Sequence, residues 1–103
     1  MGFDFNSNKS VEEDLETLPE KVSEQLVKWR TASLDREKCE ALLYARFHGE
    51  DPSRTATAIK SLINSNEERY QIVLKEIQEE AHYNFLYEKL MSAKKIASLR
   101  TAF

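Results

Sequence analysis

Glycine and proline are scarce in this chain, with two of each among 103 residues. Gly2 and Gly49 are far apart, and neither lies in a context such as GxGxxG or GKT, so a glycine-rich phosphate-binding loop is excluded. Glycine and proline are both unfavourable in the interior of a helix, and segments that lack them can continue as helices over many turns. The composition therefore favours a few long helices.

Cysteine occurs once, as Cys39, so no disulfide can form within the chain. No apolar run approaches the roughly 18 residues of a membrane-spanning helix, and no signal-peptide core is present. We therefore expect an intracellular protein without a membrane segment, and we expect Cys39 to be a small core residue.

Recognisable catalytic and metal-binding patterns are also missing. The two histidines, His48 and His82, have no identifiable nucleophile or base beside them, so we expect neither enzymatic activity nor a cofactor. Glu79 and His82 have the Glu-x-x-His spacing of di-iron helical bundles, but such bundles need a second copy and two further glutamates. A solvated charged face is the better interpretation of this pair.

Charge is distributed unevenly, although the net charge is only −3. The N-terminal acidic segment, residues 1–24, carries seven acids against two lysines. The C-terminal basic segment, residues 89–103, contains no acid and carries Lys89, Lys94, Lys95 and Arg100. This asymmetry points toward a polyanionic partner.

Apolar periodicity predicts an all-α fold, and no segment alternates with the period of a strand. The longest predicted helix covers Asn66 to Phe103. Its apolar residues recur mostly at intervals of three and four and are expected on one side of the helix: Tyr70, Leu74, Ile77, Ala81, Phe85, Tyr87, Leu90, Met91, Ile96 and Leu99. Because this side is longer than a domain of this size is wide, we expect another subunit to cover part of it, in a homo-oligomer.

The N-terminal part is predicted as a flexible tail, residues 1–9, followed by a single helical domain, residues 10–103. We expect a short helix from Val11 to Thr17 and a boundary at Thr17 or Leu18, because Pro19 suits the first turn of a new helix. That second helix should continue through its polar middle to His48, with Gly49 as a left-handed cap.

A shorter helix is predicted after this turn, capped by Asp51 with Pro52 in its first position. Its expected buried face consists of Ala56, Ile59, Leu62 and Ile63. Asn64 to Asn66 should end it and cap the long C-terminal helix. The predicted architecture is a helical hairpin packed along a long C-terminal helix.

Cations lie beside aromatic residues around the Gly49 turn, where Arg46, Arg54 and Lys60 accompany Tyr44, Phe47 and His48. Single-stranded nucleic acid is held by cations that follow the phosphates and by rings that stack on the bases. We therefore predict DNA contacts at these three cations and at the four of the C-terminal basic segment. A cation near a helix C-terminus is also favourable without any ligand, so the residues alone leave both interpretations open.

Four short segments carry a family resemblance: Lys28-Trp29, residues 45–49 (ARFHG), residues 58–60 (AIK) and residues 97–103 (ASLRTAF). From Trp29 onward the chain resembles the UvsY-type recombination mediators of tailed phages. The resemblance implies a non-catalytic, ring-like homo-oligomer in the cytoplasm of a bacterial host. It also implies binding to single-stranded DNA, to a single-strand-binding protein and to a RecA-like recombinase, with Arg46 in the DNA-binding role.

Two other functions fit the same sequence. A phage-encoded adaptor or inhibitor could use acidic residues 4–24 to engage a basic host surface, because acidic segments can imitate nucleic acid. A virion or assembly subunit would instead form stable oligomers with neither ligand.

Overall fold

A computed structural model describes residues 7–101, with side chains from Val11 onward, and it is entirely α-helical apart from two connections. The helices are α1 (Ser7–Glu50), α2 (Ala56–Asn64) and α3 (Glu67–Thr101). The long α1 packs against the long α3, which confirms the predicted all-α fold with two long helices. None of the three described helices combines the length and the hydrophobicity that crossing a membrane requires.

Helix α1 is continuous where a boundary was predicted. Pro19 lies inside it, so the expected break at Thr17 or Leu18 is wrong. Proline removes one hydrogen bond from the helical ladder, but the neighbouring Leu18 is only 2% exposed, and such burial offsets the loss. The helix also begins at Ser7, before the predicted start at Val11, whereas residues 1–6 of the predicted tail lie outside the described residues.

The connection between α1 and α2 also differs from the prediction. Gly49 is helical and does not have a positive φ, so the expected left-handed cap is wrong. Asp51 closes a local turn instead of capping α2, because its Oδ1 accepts hydrogen bonds from the backbone N–H (3.1 Å) and hydroxyl (2.6 Å) of Ser53. The cap of α2 is Thr55, whose hydroxyl accepts a hydrogen bond from the Ala58 N–H at 3.1 Å.

The connection between α2 and α3 agrees with the prediction. Helix α2 ends at Asn64, and the side-chain oxygen of Asn66 accepts a hydrogen bond from the Arg69 N–H at 2.9 Å. Glu67 and Glu68 occupy the first turn of α3, where negative charge is favourable against the helix dipole.

The chain forms two compact units, each of which includes part of α1 and part of α3. Unit 1 comprises Met1–Val27 and Ala81–Phe103, and unit 2 comprises Lys28–Glu80. Because both long helices continue from one unit into the other, this division does not test the expectation of a single domain, which stays a prediction.

Unit 1 has a narrow buried seam that is apolar except for Gln25. On α1, Val11, Leu18 and Gln25 are buried at intervals of seven residues. On α3, Leu90 and Ala93 are buried, three residues apart. Intervals of three and seven residues are those of two helices that pack side by side along a narrow stripe.

Unit 2 has a small core where α2 meets α1. Leu43, Ile59 and Ile63 are buried together, and Cys39 and Phe47 pack against them while only partly buried. Two of the four residues expected on the buried face of α2 are therefore confirmed. Leu62 is 36% exposed and Ala56 is also exposed, because a nine-residue helix against one neighbour covers only a narrow stripe.

The predicted buried side of α3 is largely wrong. Leu90 is buried and Met91 is half-buried, but the remaining eight residues of the predicted stripe are exposed. The covered side of α3 instead includes the buried Ala93 in unit 1 and the half-buried Ile72 and Glu76 in unit 2. The predicted stripe and the covered stripe have the same spacing along α3. The size of the apolar residues does not show which of the two stripes packs against the rest of the chain.

Candidate nucleic-acid interface

The four cations of the C-terminal basic segment lie on α3 in unit 1 and are exposed. None of them forms an ion pair with another described residue. At about 100° per residue, Lys89 and Arg100 share one side of the helix, whereas Lys94 and Lys95 lie about 140° and 240° further around it. The segment therefore presents cations around the helix and not along a single face.

Unit 1 also contains the described part of the N-terminal acidic segment. Its exposed acids on α1 are Glu12, Glu13, Glu16, Glu20 and Glu24. Acidic and basic segments thus belong to one compact unit, although no ion pair between described residues joins them. The sequence alone gives no sign that the two segments share a unit.

Two of the predicted DNA-binding residues, Arg46 and Arg54, form ion pairs in unit 2, and Arg46 is the more exposed of them. Its side chain is 62% exposed and pairs with Glu50 at 3.4 Å. The guanidinium also lies 5.4 Å from the centre of the Phe47 ring. Exposed pairs of this kind contribute little, so a phosphate can compete with Glu50 for Arg46.

Arg54, also in unit 2, has a structural partner. Its Nη1 donates a hydrogen bond to the Phe47 carbonyl at 2.9 Å and approaches Glu50 at 3.4 Å. The same carbonyl, in the last turn of α1, accepts a hydrogen bond from the Asp51 N–H at 3.3 Å, so Arg54 adds a second bond to it. Arg54 therefore stabilises the turn, and it is the least available of the seven predicted cations.

Lys60 lies on α2 and lines an open groove of unit 2 together with Tyr44. The groove has a volume of about 420 Å³, and its other lining residues are Glu40, Ala56, Ile63, Asn64 and Arg69. Tyr44 lies on α1, and its ring stacks on the ring of His48, with a centroid distance of 6.3 Å and an interplanar angle of 6°. The sequence alone gives no sign that Asn64 and Arg69 share a groove with Tyr44 and Lys60.

A chain of ion pairs joins α1 to α3 in unit 2. Arg36 binds Glu76 and Glu40, and Arg69 binds the second oxygen of Glu40 at 2.9 Å. Burial disfavours the charged form of Glu76, but hydrogen bonds from Arg36 and Ser33 outweigh it and hold its pKa below the usual value. The hydrogen bond to Glu76 likewise raises the pKa of Arg36, against the effect of burial. The two arginines and the two glutamates therefore neutralise one another.

A second groove, of about 520 Å³, lies beside Cys39, Leu42 and Ile72 in unit 2. Burial, together with the nearby Glu68 and Glu40, raises the pKa of the Cys39 thiol. A thiol with a raised pKa is a poor nucleophile at neutral pH. The described residues contain no group of three or more side chains arranged to hold a metal ion.

Comparison of the chain with protein-family models, with curated proteins and with solved structures gives no match. The resemblance to UvsY-type mediators is neither supported nor contradicted by these comparisons. Any functional proposal therefore depends on the residues of this chain.

Proposed function

We propose that this protein binds single-stranded DNA and acts as a recombination mediator, which helps a RecA-like recombinase to load onto strands covered by a single-strand-binding protein. The observation that carries the proposal is the C-terminal basic segment, whose four cations are exposed and have no ion-pair partner among the described residues. Release of counterions from phosphates is the main source of affinity at such a site.

The arrangement of these cations favours a single strand over a duplex. Lys89, Lys94 and Lys95 point in different directions around α3, and a flexible strand can bend around a helix to meet all of them. A duplex is stiff, with a persistence length of about 50 nm, and presents its phosphates along fixed lines. The mediator role and the two protein partners come from the family resemblance.

Self-association is part of the proposal. Three apolar residues on α3 of unit 2 are exposed: Tyr70 (56%), Leu74 (37%) and Ile77 (54%). An exposed apolar stripe supports contact between copies of the chain. A homo-oligomer would bring several basic segments to one strand and raise the affinity through effective concentration.

The proposal is tested by measuring oligonucleotide binding over a salt series for the wild type and for the triple variant Lys94→Glu, Lys95→Glu and Arg100→Glu. Each lost phosphate contact lowers the slope of log K against log salt by about 0.7 for a single strand, so we expect a loss of about two in slope and of most of the affinity. A triple reversal of three exposed lysines on α1, Lys21, Lys28 and Lys38, changes the net charge equally. It should weaken binding less and leave the slope closer to that of the wild type.

Wild-type affinity in the α3 triple variant would show that the C-terminal basic segment is not the interface. Absence of oligonucleotide binding by the wild type at low salt would overturn the proposed function itself.

A protein-binding adaptor is the second candidate function, and the exposed acids of α1 in unit 1 favour it. Reversing Glu13, Glu16 and Glu20 to lysine should then abolish capture of a basic host protein. The same variant should bind oligonucleotides more tightly if the first proposal is correct, because repulsion of the phosphates is removed.

A further inference from the structure

We propose that the groove lined by Tyr44 and Lys60 in unit 2 is a subsite for one nucleotide of a single strand, with the base stacked on Tyr44 and a phosphate near Lys60. The inference rests on the proposed function, because it needs a single-stranded ligand. It adds a second kind of contact. The C-terminal basic segment is proposed to supply positive charge, and the groove is proposed to supply an aromatic ring for stacking.

The stacking surface is already in place. Tyr44 is 45% exposed although it lines a groove, so part of its ring is open to a ligand. The nearly parallel ring of His48, at 6.3 Å, adds a second aromatic surface on the same side of α1. Aromatic rings stack on any base, and such contacts do not depend on the sequence of the strand.

The size and chemistry of the groove fit a nucleotide. Its volume of about 420 Å³ lies within the range of about 300–1,000 Å³ that is typical of small-molecule sites. Ile63 and Ala56 provide apolar surface for a base. Asn64 can both donate and accept hydrogen bonds, so it can bind an edge of any of the four bases.

The charge of the groove favours a phosphate. Glu40 is the one acid in its lining, and its two oxygens are bound by Arg36 (2.9 Å) and Arg69 (2.9 Å). Lys60 has no ion-pair partner among the described residues, so its charge is not compensated. The charged lining residues, Glu40, Lys60 and Arg69, therefore sum to one positive charge.

The other groove of unit 2 has a similar charge but no ring, which makes it a useful contrast. Its lining contains two acids, Asp35 and Glu68, and three cations, Lys38, Arg46 and Lys75. Because neither lining differs from the other in net charge, the aromatic ring of Tyr44 is the feature that distinguishes the proposed subsite.

The decisive experiment compares Tyr44→Ala with Tyr87→Ala on the full-length protein. Tyr87 is a matched control, because it is 44% exposed and also stacks on a ring one helical turn away, that of Tyr83. Each variant is titrated with a fluorescent oligonucleotide and with an abasic strand of the same length. Circular dichroism confirms that both variants remain helical, and Tyr44→Phe, which keeps the ring, is included as a rescue.

We expect Tyr44→Ala to bind the oligonucleotide about tenfold more weakly than the wild type and the abasic strand with unchanged affinity. Tyr87→Ala and Tyr44→Phe should bind both strands as the wild type does. Lys60→Gln should weaken binding to both strands and reduce the salt slope by about 0.7.

Equal binding of the oligonucleotide by Tyr44→Ala and Tyr87→Ala would overturn the subsite and leave the proposed function intact. An equal loss on both strands in Tyr44→Ala would also overturn it, because stacking requires a base. A wild type that binds neither strand would overturn the proposed function and the subsite together.

Discussion

Glu76 is the residue in which charge and packing are most closely linked. Its side chain is 16% exposed and lies against Arg36, with Ser33 and Arg69 also contributing to its electrostatic environment. Glu40 and Arg69 complete the set of charged groups that face it across α1 and α3. An unpaired charge in such a position would be costly, so each member of the group depends on the others.

We expect Glu76→Gln to lower the free energy of unfolding by about 1–3 kcal/mol at pH 7, since a hydrogen bond to a charged partner is lost. The folded-state pKa of Glu76 is lowered, so its contribution is complete above the ordinary value of 4.5 and disappears as the pH falls through the folded-state pKa. Urea denaturation at a series of pH values measures both effects.

The variant should consequently lose less stability than the wild type on acidification below about pH 4.5. Glu80→Gln, an exposed glutamate on the same helix, is the control and should behave as the wild type. Parallel pH profiles for wild type and Glu76→Gln would contradict the assigned role of the ion pairs.

For charged residues, the sequence predicts exposure to solvent better than it predicts ion-pair and hydrogen-bond partners. The exposed lysines of the C-terminal basic segment were identified from composition alone. Arg54 could not be separated from Arg46 in the same way, because its partner is the backbone carbonyl of Phe47, and a backbone acceptor leaves no signal in the sequence.

Among the secondary-structure elements, α1 shows how packing overrides local preference. Proline in a helix interior is unfavourable by about 3 kcal/mol relative to alanine, and this preference predicted a boundary at Pro19. The structure continues through it, and the burial of residues on both sides, Val11 and Leu18 before it and Gln25 after it, explains why.

Pro19→Ala should therefore stabilise the protein, by about 1–3 kcal/mol, because alanine restores the missing backbone hydrogen bond and relieves the clash with the preceding turn. Thermal and urea unfolding followed by circular dichroism measure the change. Ala41→Pro, at an exposed position of the same helix, is the converse variant and should destabilise strongly.

Should Pro19→Ala leave stability unchanged or reduce it, Pro19 would not lie within a continuous helix.

The caps of the helices could be predicted from the sequence only in part. Asn66 was identified as a cap correctly, whereas Asp51 and Thr55 compete for that role only four residues apart, and the hydrogen bonds of Ser53 to Asp51 decide the outcome.

For the whole molecule, the exposed apolar side of α3 in unit 2 matters most. The spacing of Tyr70, Leu74 and Ile77 correctly predicts one apolar stripe. It does not show whether the stripe is buried within one chain or between copies of the chain. The structure leaves them exposed in a single chain, so association between copies stays a prediction.

We expect the wild type to sediment as a homo-oligomer and Ile77→Glu to shift it toward single chains, because a charge in an apolar contact between copies must be desolvated. Sedimentation velocity over a range of concentrations measures the shift. Gln78→Glu places the same charge on the neighbouring exposed residue and serves as the control.

Single chains of wild type at high concentration would rule out the oligomer, and an equal effect of the two substitutions would rule out Ile77 as part of the contact. Neither result would bear on whether a single chain binds DNA, so this test addresses the self-association in the proposal and not the DNA binding.

The shared carboxylate of Glu40 has an evolutionary consequence. Each of its oxygens binds a different arginine, one on its own helix and one on α3, so loss of Glu40 removes the ion pair of Arg69 and one of the two ion pairs of Arg36. Replacement of the entire set by hydrophobic side chains, by contrast, can be neutral or even favourable. Related chains are therefore expected to keep these positions together or to abandon them together, and intermediates with one missing charge should be rare.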